Sequence, residues 1–234
     1  MHNSTLIVAF GHRAHSGKDT CVSHLIETYK DQYDVRRYAF ADELKVEVYD
    51  ALGNWRDVVW NDGRLNYLEL PHPRQNGPVT REQKIQWISA HKVEPPLARL
   101  LQFWGAEYRR KQDQHHWVKA LDYQLKRDRP QIALISDLRF KNEFAFVCAH
   151  GTGSSFNGKG YTVKVSRLGF QLNDGRDPHH SSEVDLDSVK FHCEISVADG
   201  GEEQIAELKK DAVFVFDEIL KAYQPPMPEV FHNV

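Results

Sequence analysis

Short apolar runs alternate along the chain with longer segments in which apolar residues recur every three or four positions. Runs such as TLIVAF and IALISD have the length and composition of strands buried on both faces of a parallel sheet. On this criterion, strands are predicted at residues 5–10, 35–40, 132–137, 161–167 and 191–199. Strands that alternate with helices are typical of an α/β fold, so the pattern predicts a five-stranded, mostly parallel sheet flanked by helices.

The segments between the predicted strands have helical periodicity. In the first of them, Val22, Leu25 and Tyr29 share one helical face. Helices are predicted at residues 17–30, 41–53, 81–91, 97–110, 115–128, 141–150 and 202–223. Residues 54–80 are rich in Asn, Asp, Gly and Pro, which indicates an insertion rather than regular structure.

Composition predicts a soluble protein of the cytoplasm. The chain has 234 residues, 41% of them hydrophobic, enough to bury a core without disulfides or metals. A formal net charge of -3 argues against a nucleic-acid partner, and no apolar stretch approaches the roughly 20 residues that span a bilayer. The three cysteines, Cys21, Cys148 and Cys193, lie far apart and lack CxxC spacing, as expected in a reducing compartment.

The stretch GHRAHSGKDT follows the first predicted strand and leads into a helix. A phosphate-binding loop turns sharply, presents backbone N–H groups at a helix N-terminus and places an ammonium beside the phosphates. Gly11 and Gly17 permit the turn, and Lys18 supplies the charge. Five residues separate the two glycines, one more than the usual pattern, and Asp19 stands between Lys18 and Thr20. We predict a phosphate loop in which Thr20, or Asp19 through water, serves Mg²⁺.

A second candidate lies at the end of the predicted strand IALISD. An aspartate at the carboxyl end of a buried parallel strand lies at the edge where open α/β sheets bind ligands. Asp137 can hold a water on Mg²⁺ or accept from a substrate hydroxyl, and the planar guanidinium of Arg139 can clamp a phosphate. Glu143 follows Arg139 at i+4, so either a role at the site or a structural ion pair with Arg139 explains it.

The helix LLQFWGAEYRR and the loop LGFQLNDGRDPHHSSE contain further candidates. Gly105 inside a helix indicates close approach by a ligand or by another backbone, and Gln102 can bond a base edge with both a donor and an acceptor. On composition alone, Trp117 is interpreted as a core residue. Arg167 or Arg176 reaches a transferring phosphoryl group if the loop closes as a lid, although a solvated loop explains the same sequence.

Five segments, taken in order, resemble the bacteriophage deoxynucleoside monophosphate kinases, a family similar in fold to the nucleoside monophosphate kinases. They are SGKDT, YAFADELK, LLQFWGAEYRR followed by HWVKAL, ISDLRFKNE and HHSSE, across residues 5 to about 185. The resemblance implies one P-loop kinase domain over residues 1–234, with a helical substrate-binding insertion over 54–130 and a lid over 168–190. It implies that ATP gives its γ-phosphoryl group to a deoxynucleoside 5′-monophosphate, with Mg²⁺ as cofactor.

The resemblance also implies roles for individual residues. The ATP phosphates and Mg²⁺ are expected at Gly11, His15, Ser16, Gly17, Lys18, Asp19 and Thr20. The acceptor nucleotide is expected near Asp42, Lys45, Gln102, Glu107, Arg110 and Trp117. Asp137 and Arg139 are expected at the reaction centre, where Lys18 is the third catalytic group. Arg167 and the segment around His180, Ser182 and Glu183 are expected on the lid side. Residues 54–94 match no segment of the family.

Two other functions fit the same residues. One is a related P-loop kinase with another acceptor, such as dephospho-coenzyme A or a hydroxymethylated base within DNA, for which Arg36, Arg37 and Arg109 offer local positive charge. The other is a non-catalytic module that binds ATP and regulates a partner. The preferred base depends on a few hydrogen bonds that the sequence does not specify. Kinases of this kind often pair, so a homodimer is an expectation.

Overall fold

Five strands form the sheet of this protein, whose computed structural model describes residues 5–53, 77–92, 94–149, 159–170 and 179–223. They are β1 (Leu6–Gly11), β2 (Val35–Tyr38), β3 (Ile132–Leu138), β4 (Lys159–Leu168) and β5 (Cys193–Ala198). Their order across the sheet is β2-β3-β1-β4-β5, and all four pairings are parallel. The predicted α/β class is confirmed, and the described sheet is parallel throughout rather than mostly parallel.

Helices connect the strands and flank the sheet. Their bounds are α1 (Lys18–Tyr29), α2 (Ala41–Gly53), α3 (Arg81–His91), α4 (Pro95–Gln102), α5 (Arg110–Gln112), α6 (His116–Asp128), α7 (Lys141–Ala149), α8 (Ser181–Val184) and α9 (Glu202–Tyr223). A π-helical segment, Phe103–Arg109, joins α4 to α5. The chain divides into two compact units, the first made of residues 1–39 and 122–234 and the second of residues 40–121.

The core of the first unit packs one face of the sheet against α1 and α9. Alternate residues of each strand point to this face, which is why Leu6, Val8 and Phe10 of β1 all belong to it. Cys21 of α1 is fully buried there, and burial raises its pKa to about 12. The thiol therefore stays protonated and acts as a small packed side chain.

The centre of the sheet brings the ends of β1 and β3 together. All six residues of β1 are buried, as expected for a strand covered on both faces. The pairing of β1 with β3 shifts register between Ala9 and Gly11, so that Gly11 lies beside Leu138. A Cβ on Gly11 would lie 3.0 Å from the Leu138 carbonyl oxygen. Glycine at this position therefore permits the close approach of the two strand ends.

The second unit contains helices α2, α3, α4 and α5, the π-helical segment and the first six residues of α6. The chain enters α3 through a capping box, in which Thr80 Oγ1 accepts the Gln83 N–H at 3.2 Å and Gln83 Oε1 accepts the Thr80 N–H at 2.9 Å. α4 begins with prolines, whose missing N–H costs nothing in the first turn of a helix.

The predicted helix over residues 97–110 is wrong in its second half. α4 ends at Gln102, and the backbone then widens into the π-helical segment. Gly105 in this segment is approached by a side chain, since a Cβ there would lie 3.0 Å from Leu44 Cδ2, and no other backbone approaches that point within 4 Å in the described residues; the alternative of a ligand stays a prediction. The Gly105 carbonyl accepts from Trp117 Nε1 at 3.0 Å. The wider turn therefore lets two neighbouring side chains pack closely against the backbone.

Other differences are smaller. β2 ends at Tyr38, two residues before the predicted end, and α8 lies inside a stretch predicted to be irregular. Residues 54–76 of the predicted insertion lie outside the described residues. The same holds for residues 171–178 of the predicted lid, which include Arg176. The roles of both segments therefore stay predictions. Within the described ranges, no helix combines the length and the apolar character needed to cross a membrane.

Candidate functional site

The loop between β1 and α1 has an unusual backbone. His12, His15 and Gly17 all have positive φ, at 92°, 55° and 98°. Such conformations are costly for residues other than glycine and persist where the surroundings hold them. At Gly17 a Cβ would also lie 2.5 Å from Leu208 Cδ2, so glycine is required there on two grounds. The loop therefore needs external support at the two histidines.

The first turn of α1 faces this loop. Gly17 is its N-cap, and no side chain of the described residues caps this helix end by a hydrogen bond. The first N–H groups of a helix lack partners within the helix and attract anions together with the helix dipole. Asp19 in this turn is exposed, and Thr20 is half-buried. The geometry is that of a helix end that can accept a phosphate.

Lys18 is buried at the base of the loop, with 5% of its surface exposed. Its Nζ donates to the Arg13 carbonyl oxygen and, at 3.0 Å, to Ser16 Oγ. Burial lowers the pKa of Lys18 to about 7, and the Arg139 guanidinium acts in the same direction. Three carboxylates oppose the shift, those of Asp19, Glu183 and Asp137. A lysine whose charge is disfavoured in this way gains stability when an anion binds beside it.

The carboxyl end of β3 carries the acidic candidate. Asp137 is half-buried and follows the register shift between β1 and β3. Its charge acts on Lys18, so the structure brings these two predicted residues into one electrostatic environment. Ser136, just before it, is 2% exposed, and its hydroxyl has no hydrogen-bond partner within the described residues. The end of β3 therefore carries both a carboxylate and a buried hydroxyl without a partner among the described residues.

The side chains of Arg139 and Glu143 bind different groups. Arg139 Nη1 donates to Glu183 Oε1 at 2.6 Å and to the Ser182 carbonyl oxygen at 3.3 Å. Glu143 is buried, and its Oε2 accepts the N–H of Arg139 at 2.9 Å and of Phe140 at 3.1 Å. Glu143 thus satisfies backbone groups before α7, and the predicted alternative of an ion pair between Glu143 and Arg139 is wrong.

Three acids at alternate positions of EVDLD, residues 183–187, bind the loop and the turn after β3; we call them the acidic segment. Glu183 Oε2 accepts the Ala14 N–H at 2.8 Å. Asp185 Oδ2 accepts the Lys141 N–H at 2.8 Å. Asp187 contacts His12 Nε2 at 3.1 Å and Arg13 Nη2 at 3.0 Å. Asp185 and Asp187 were not predicted, and the only signal for them in the sequence is the alternation of acids.

Asp187 supports the strained start of the loop. His12 is mostly buried, and burial lowers its pKa. Its contact with Asp187 is therefore mainly a hydrogen bond of the neutral ring near pH 7. Because His12 has φ 92°, this bond holds a backbone conformation that the residue alone disfavours.

Arg167 is held at the end of β4. Its Nε lies 2.6 Å from Asp199 Oδ1, and its Nη2 donates to the Gly200 carbonyl oxygen at 3.3 Å. The guanidinium also lies 5.0 Å from the centroid of the Phe170 ring, which in turn lies 6.1 Å from that of His15. The rings of Phe170 and His15 therefore connect Arg167 to the loop between β1 and α1. A contact of Arg167 with the transferring phosphoryl group stays a prediction.

The second unit contains the residues expected at the acceptor. Asp42 is 5% exposed and lies 3.3 Å from Lys45 Nζ. Trp117 is buried and donates to a backbone carbonyl, so packing accounts for it, as composition indicated. The other three are more accessible, since Gln102 and Arg110 are half-buried and Glu107 is exposed.

Glu47, which the sequence analysis missed, connects three elements of this unit. Its carboxylate accepts from Trp104 Nε1 at 2.8 Å, from Arg109 Nε at 2.7 Å and contacts His116 Nε2 at 2.9 Å. Burial raises the pKa of Glu47, but these hydrogen bonds outweigh burial and lower it from 4.5. Glu47 thus fixes α2 to the π-helical segment and to α6.

Replacing Glu47 with alanine is expected to lower the free energy of unfolding by about 2–3 kcal/mol, because three donors, including the buried Trp104 indole, lose their acceptor. The loss should be present above pH 4.5 and should shrink as pH falls through the lowered pKa, where Glu47 protonates in both states. Urea unfolding at several pH values measures it. Glu43→Ala on the same helix, a partly exposed partner of Arg81, should cost under about 1 kcal/mol. Equal losses for both variants would contradict the assignment.

The donor set suits Mg²⁺ that is bound together with a nucleotide. Such Mg²⁺ takes one or two protein oxygens and completes its shell with phosphate oxygens and water. The Thr20 hydroxyl and, through water, Asp19 in the first turn of α1 and the Asp137 carboxylate near the end of β3 are oxygens of this kind. The part of the chain that the structure describes contains no group of three or more His, Cys, Asp or Glu arranged to hold a metal.

Taken together, the described fold and site define an α/β protein with a cationic loop at the carboxyl edge of a parallel sheet. No protein-family model matches the sequence, and comparison with curated proteins gives no match either.

Proposed function

We propose that this protein is a deoxynucleoside monophosphate kinase, which transfers the γ-phosphoryl group of ATP to a dNMP and releases a dNDP and ADP. The observation that carries the proposal is the buried Lys18, which lies at the base of a glycine-containing loop before α1 and within the fields of Arg139 and Asp137. Burying an ammonium is costly, and a polyphosphate is the ligand that this arrangement of helix end, loop and cation favours.

The strand order supports a P-loop kinase fold. β3 lies directly beside β1, so the acid at the end of β3 and the loop at the end of β1 share one edge of the sheet. In P-loop enzymes, a loop lysine serves the β- and γ-phosphates, and an acid from a neighbouring strand serves Mg²⁺. Lys18 and Asp137 are our candidates for these two roles, and the five segments that resemble the phage kinases occur in the same order.

The chemistry needs positioning and charge rather than covalent help. The bond from the γ-phosphorus to the β-phosphate oxygen breaks, and a bond to an oxygen of the acceptor phosphate forms. Since that acceptor oxygen is already anionic, no general base is required. Mg²⁺ would be held by Thr20, Asp137 and, through water, Asp19, and it neutralises phosphate charge when bound. Lys18 and Arg139 stabilise the charge that develops on the transferring group.

The acceptor is expected to use residues of the second unit. Its candidates with accessible polar atoms are Gln102, Glu107 and Arg110, whose amide, carboxylate and guanidinium groups can bond a base and a phosphate. Glu47 supports this assignment indirectly, because it fixes the π-helical segment on which Glu107 lies. A cytoplasmic location accords with the use of nucleotide substrates.

An ADP-release assay over a panel of dNMPs, modified ones included, tests the proposal. Turnover is expected with at least one of them, and Arg139→Ala should lower kcat by about 10²-fold or more. No turnover with any nucleotide would refute the proposal. Transfer to DNA instead would favour the alternative acceptor, and gel shifts at two salt concentrations would then show a steep salt dependence. ATP binding that survives Arg139→Ala, with transfer to no acceptor, would favour the non-catalytic module.

A further inference from the structure

We propose that Glu183 is a positioning residue for phosphoryl transfer, which holds Arg139 in register with the phosphate loop through a single carboxylate. The inference rests on the proposed function. One oxygen of Glu183 accepts from the backbone of the loop, at Ala14, and the other accepts from the side chain of Arg139, in the turn after β3. The Glu183 carboxylate is therefore hydrogen-bonded both to the loop after β1 and to the side chain of Arg139.

The geometry of this carboxylate is tightly defined. The Glu183 side chain is 3% exposed, and its carboxylate accepts from Ala14 N at 2.8 Å, from Arg139 Nη1 at 2.6 Å and from Ser182 Oγ at 3.5 Å. Within the described residues, the side-chain hydrogen bonds of Arg139 all leave from Nη1, to Glu183 and to the Ser182 carbonyl oxygen. Fixing one nitrogen in this way orients the planar guanidinium and directs its Nε and Nη2 donors to a phosphate.

The charge of Glu183 has a second effect. Arg139 and Lys18 are two cations that repel one another, as the effect of Arg139 on the pKa of Lys18 shows. The Glu183 carboxylate acts in the opposite sense on Lys18. It therefore allows two cations to stay close together at the same anion site, which they require in order to act on one phosphoryl group.

Glutamine is the sharpest replacement because it has nearly the same shape. The carboxylate of Glu183 accepts two donors that approach different oxygens. A glutamine offers one acceptor oxygen and one NH₂ group, so either Ala14 N–H or Arg139 must meet a donor. Aspartate retains both acceptors and the charge but is one methylene shorter.

Glu183→Gln is expected to lower kcat by about 10- to 100-fold, because displacing a catalytic group by about 1 Å has effects of this size. The dissociation constant of ATP, measured by calorimetry, should change less than about threefold, since Lys18 and the first turn of α1 are retained. Glu183→Asp should recover part of kcat. If Glu183 had a purely structural role, its replacement would lower kcat, ATP affinity and protein stability together.

A double-mutant cycle with Arg139→Ala provides the decisive readout. If Glu183 acts through Arg139, adding Glu183→Gln to Arg139→Ala should lower kcat by less than about threefold further. Asp185→Asn is the matched control, because Asp185 belongs to the same acidic segment and bonds the Lys141 N–H rather than the loop. Its kcat should stay within about threefold of the wild type.

The outcomes separate the two proposals. Wild-type protein that turns over no nucleotide overturns both of them. If the wild type is active, three results for Glu183→Gln overturn the positioning role alone. They are an unchanged kcat, a tighter binding of ATP, and an effect on kcat that adds fully to that of Arg139→Ala. If Glu183→Gln does not fold, Glu183→Asp serves in the same cycle, and an unchanged kcat for it overturns the role as well.

Discussion

Replacing Lys18 with methionine is expected to lower dNMP phosphorylation by about 10²- to 10³-fold or more while leaving the protein folded. Lys18 lies at the base of the loop between β1 and α1, which we propose binds phosphate, and its Nζ contacts this loop at the Arg13 carbonyl oxygen and at Ser16 Oγ. Methionine has a similar length but neither charge nor donors, so the developing phosphoryl charge loses its nearest cation. Initial rates of ADP release, together with calorimetric titration of ATP, measure the effect.

The same replacement should stabilise the ligand-free protein. Burial disfavours the charged form of Lys18, whose pKa falls from 10.5 to about 7. Replacing a buried charge with an apolar side chain of similar volume often stabilises by about 1–4 kcal/mol. Below pH 7, Lys18 is protonated in both the folded and the unfolded state, so the wild type bears the full free-energy cost of burying the charged ammonium. Between pH 7 and 10.5 the unfolded state binds more protons, so the wild type gains stability as pH rises and the advantage of the variant narrows.

Lys30→Met is the control for both measurements. Lys30 lies at the other end of α1, about half exposed, and pairs with Glu27. Its replacement should leave both the turnover rate and the free energy of unfolding essentially unchanged. Guanidinium unfolding at pH 6 and pH 9 compares the three proteins. A Lys18→Met variant that retains normal turnover would remove the basis of the proposed function.

Gly160→Ala is expected to have the largest effect on folding. A Cβ at this position of β4 would lie 1.8 Å from the carbonyl oxygen of Val147 in α7 and 2.7 Å from its carbonyl carbon. Both obstructing atoms belong to the backbone, so no side-chain rotation relieves the overlap. β4 cannot retreat either, because Gly160 pairs with Ile7 of the central strand. We expect a loss of about 4 kcal/mol or more, or insoluble protein.

Gly201→Ala is the matched comparison, since nothing lies within 4 Å of a Cβ there. It should alter the free energy of unfolding by less than about 1 kcal/mol. Thermal and urea unfolding of the two variants, beside the wild type, make the comparison. If the free energy of unfolding of Gly160→Ala lay within about 1 kcal/mol of that of the wild type, α7 would have to pack on β4 at a greater distance than described.

Much of the fold follows from local patterns. The strands β1 and β3 were predicted almost to the residue, because short runs of consecutive apolar residues, LIVAF and IALI, are typical of strands buried on both faces of a parallel sheet. Helix α9 was predicted over its whole length for a similar reason, since its periodicity is sustained for six turns. The π-helical segment was missed, because a widened turn depends on what packs against it and leaves no periodic signal.

The candidate site divides in the same way. Lys18, Gly17, Asp137 and Arg139 were identified from the sequence, since residue type and position at a strand or helix end already limit their chemistry. The partners of these residues were not. Arg139 pairs with Glu183, which is 44 positions away, whereas the sequence offered only the i+4 neighbour Glu143 as one alternative partner. Glu47 was missed for the same reason, because its three donors come from residues 57 to 69 positions away.

The sequence alone determined the alternation of strands and helices, the position of the loop and the chemical type of the groups beside it, because each of these depends on residues within one turn or one strand. Only the tertiary structure decided the strand order, which places β3 beside β1, and the contacts of the acidic segment with the loop. Those contacts join residues about 170 positions apart, and chain folding brings them together through the combined packing of the whole sheet, which no local pattern encodes.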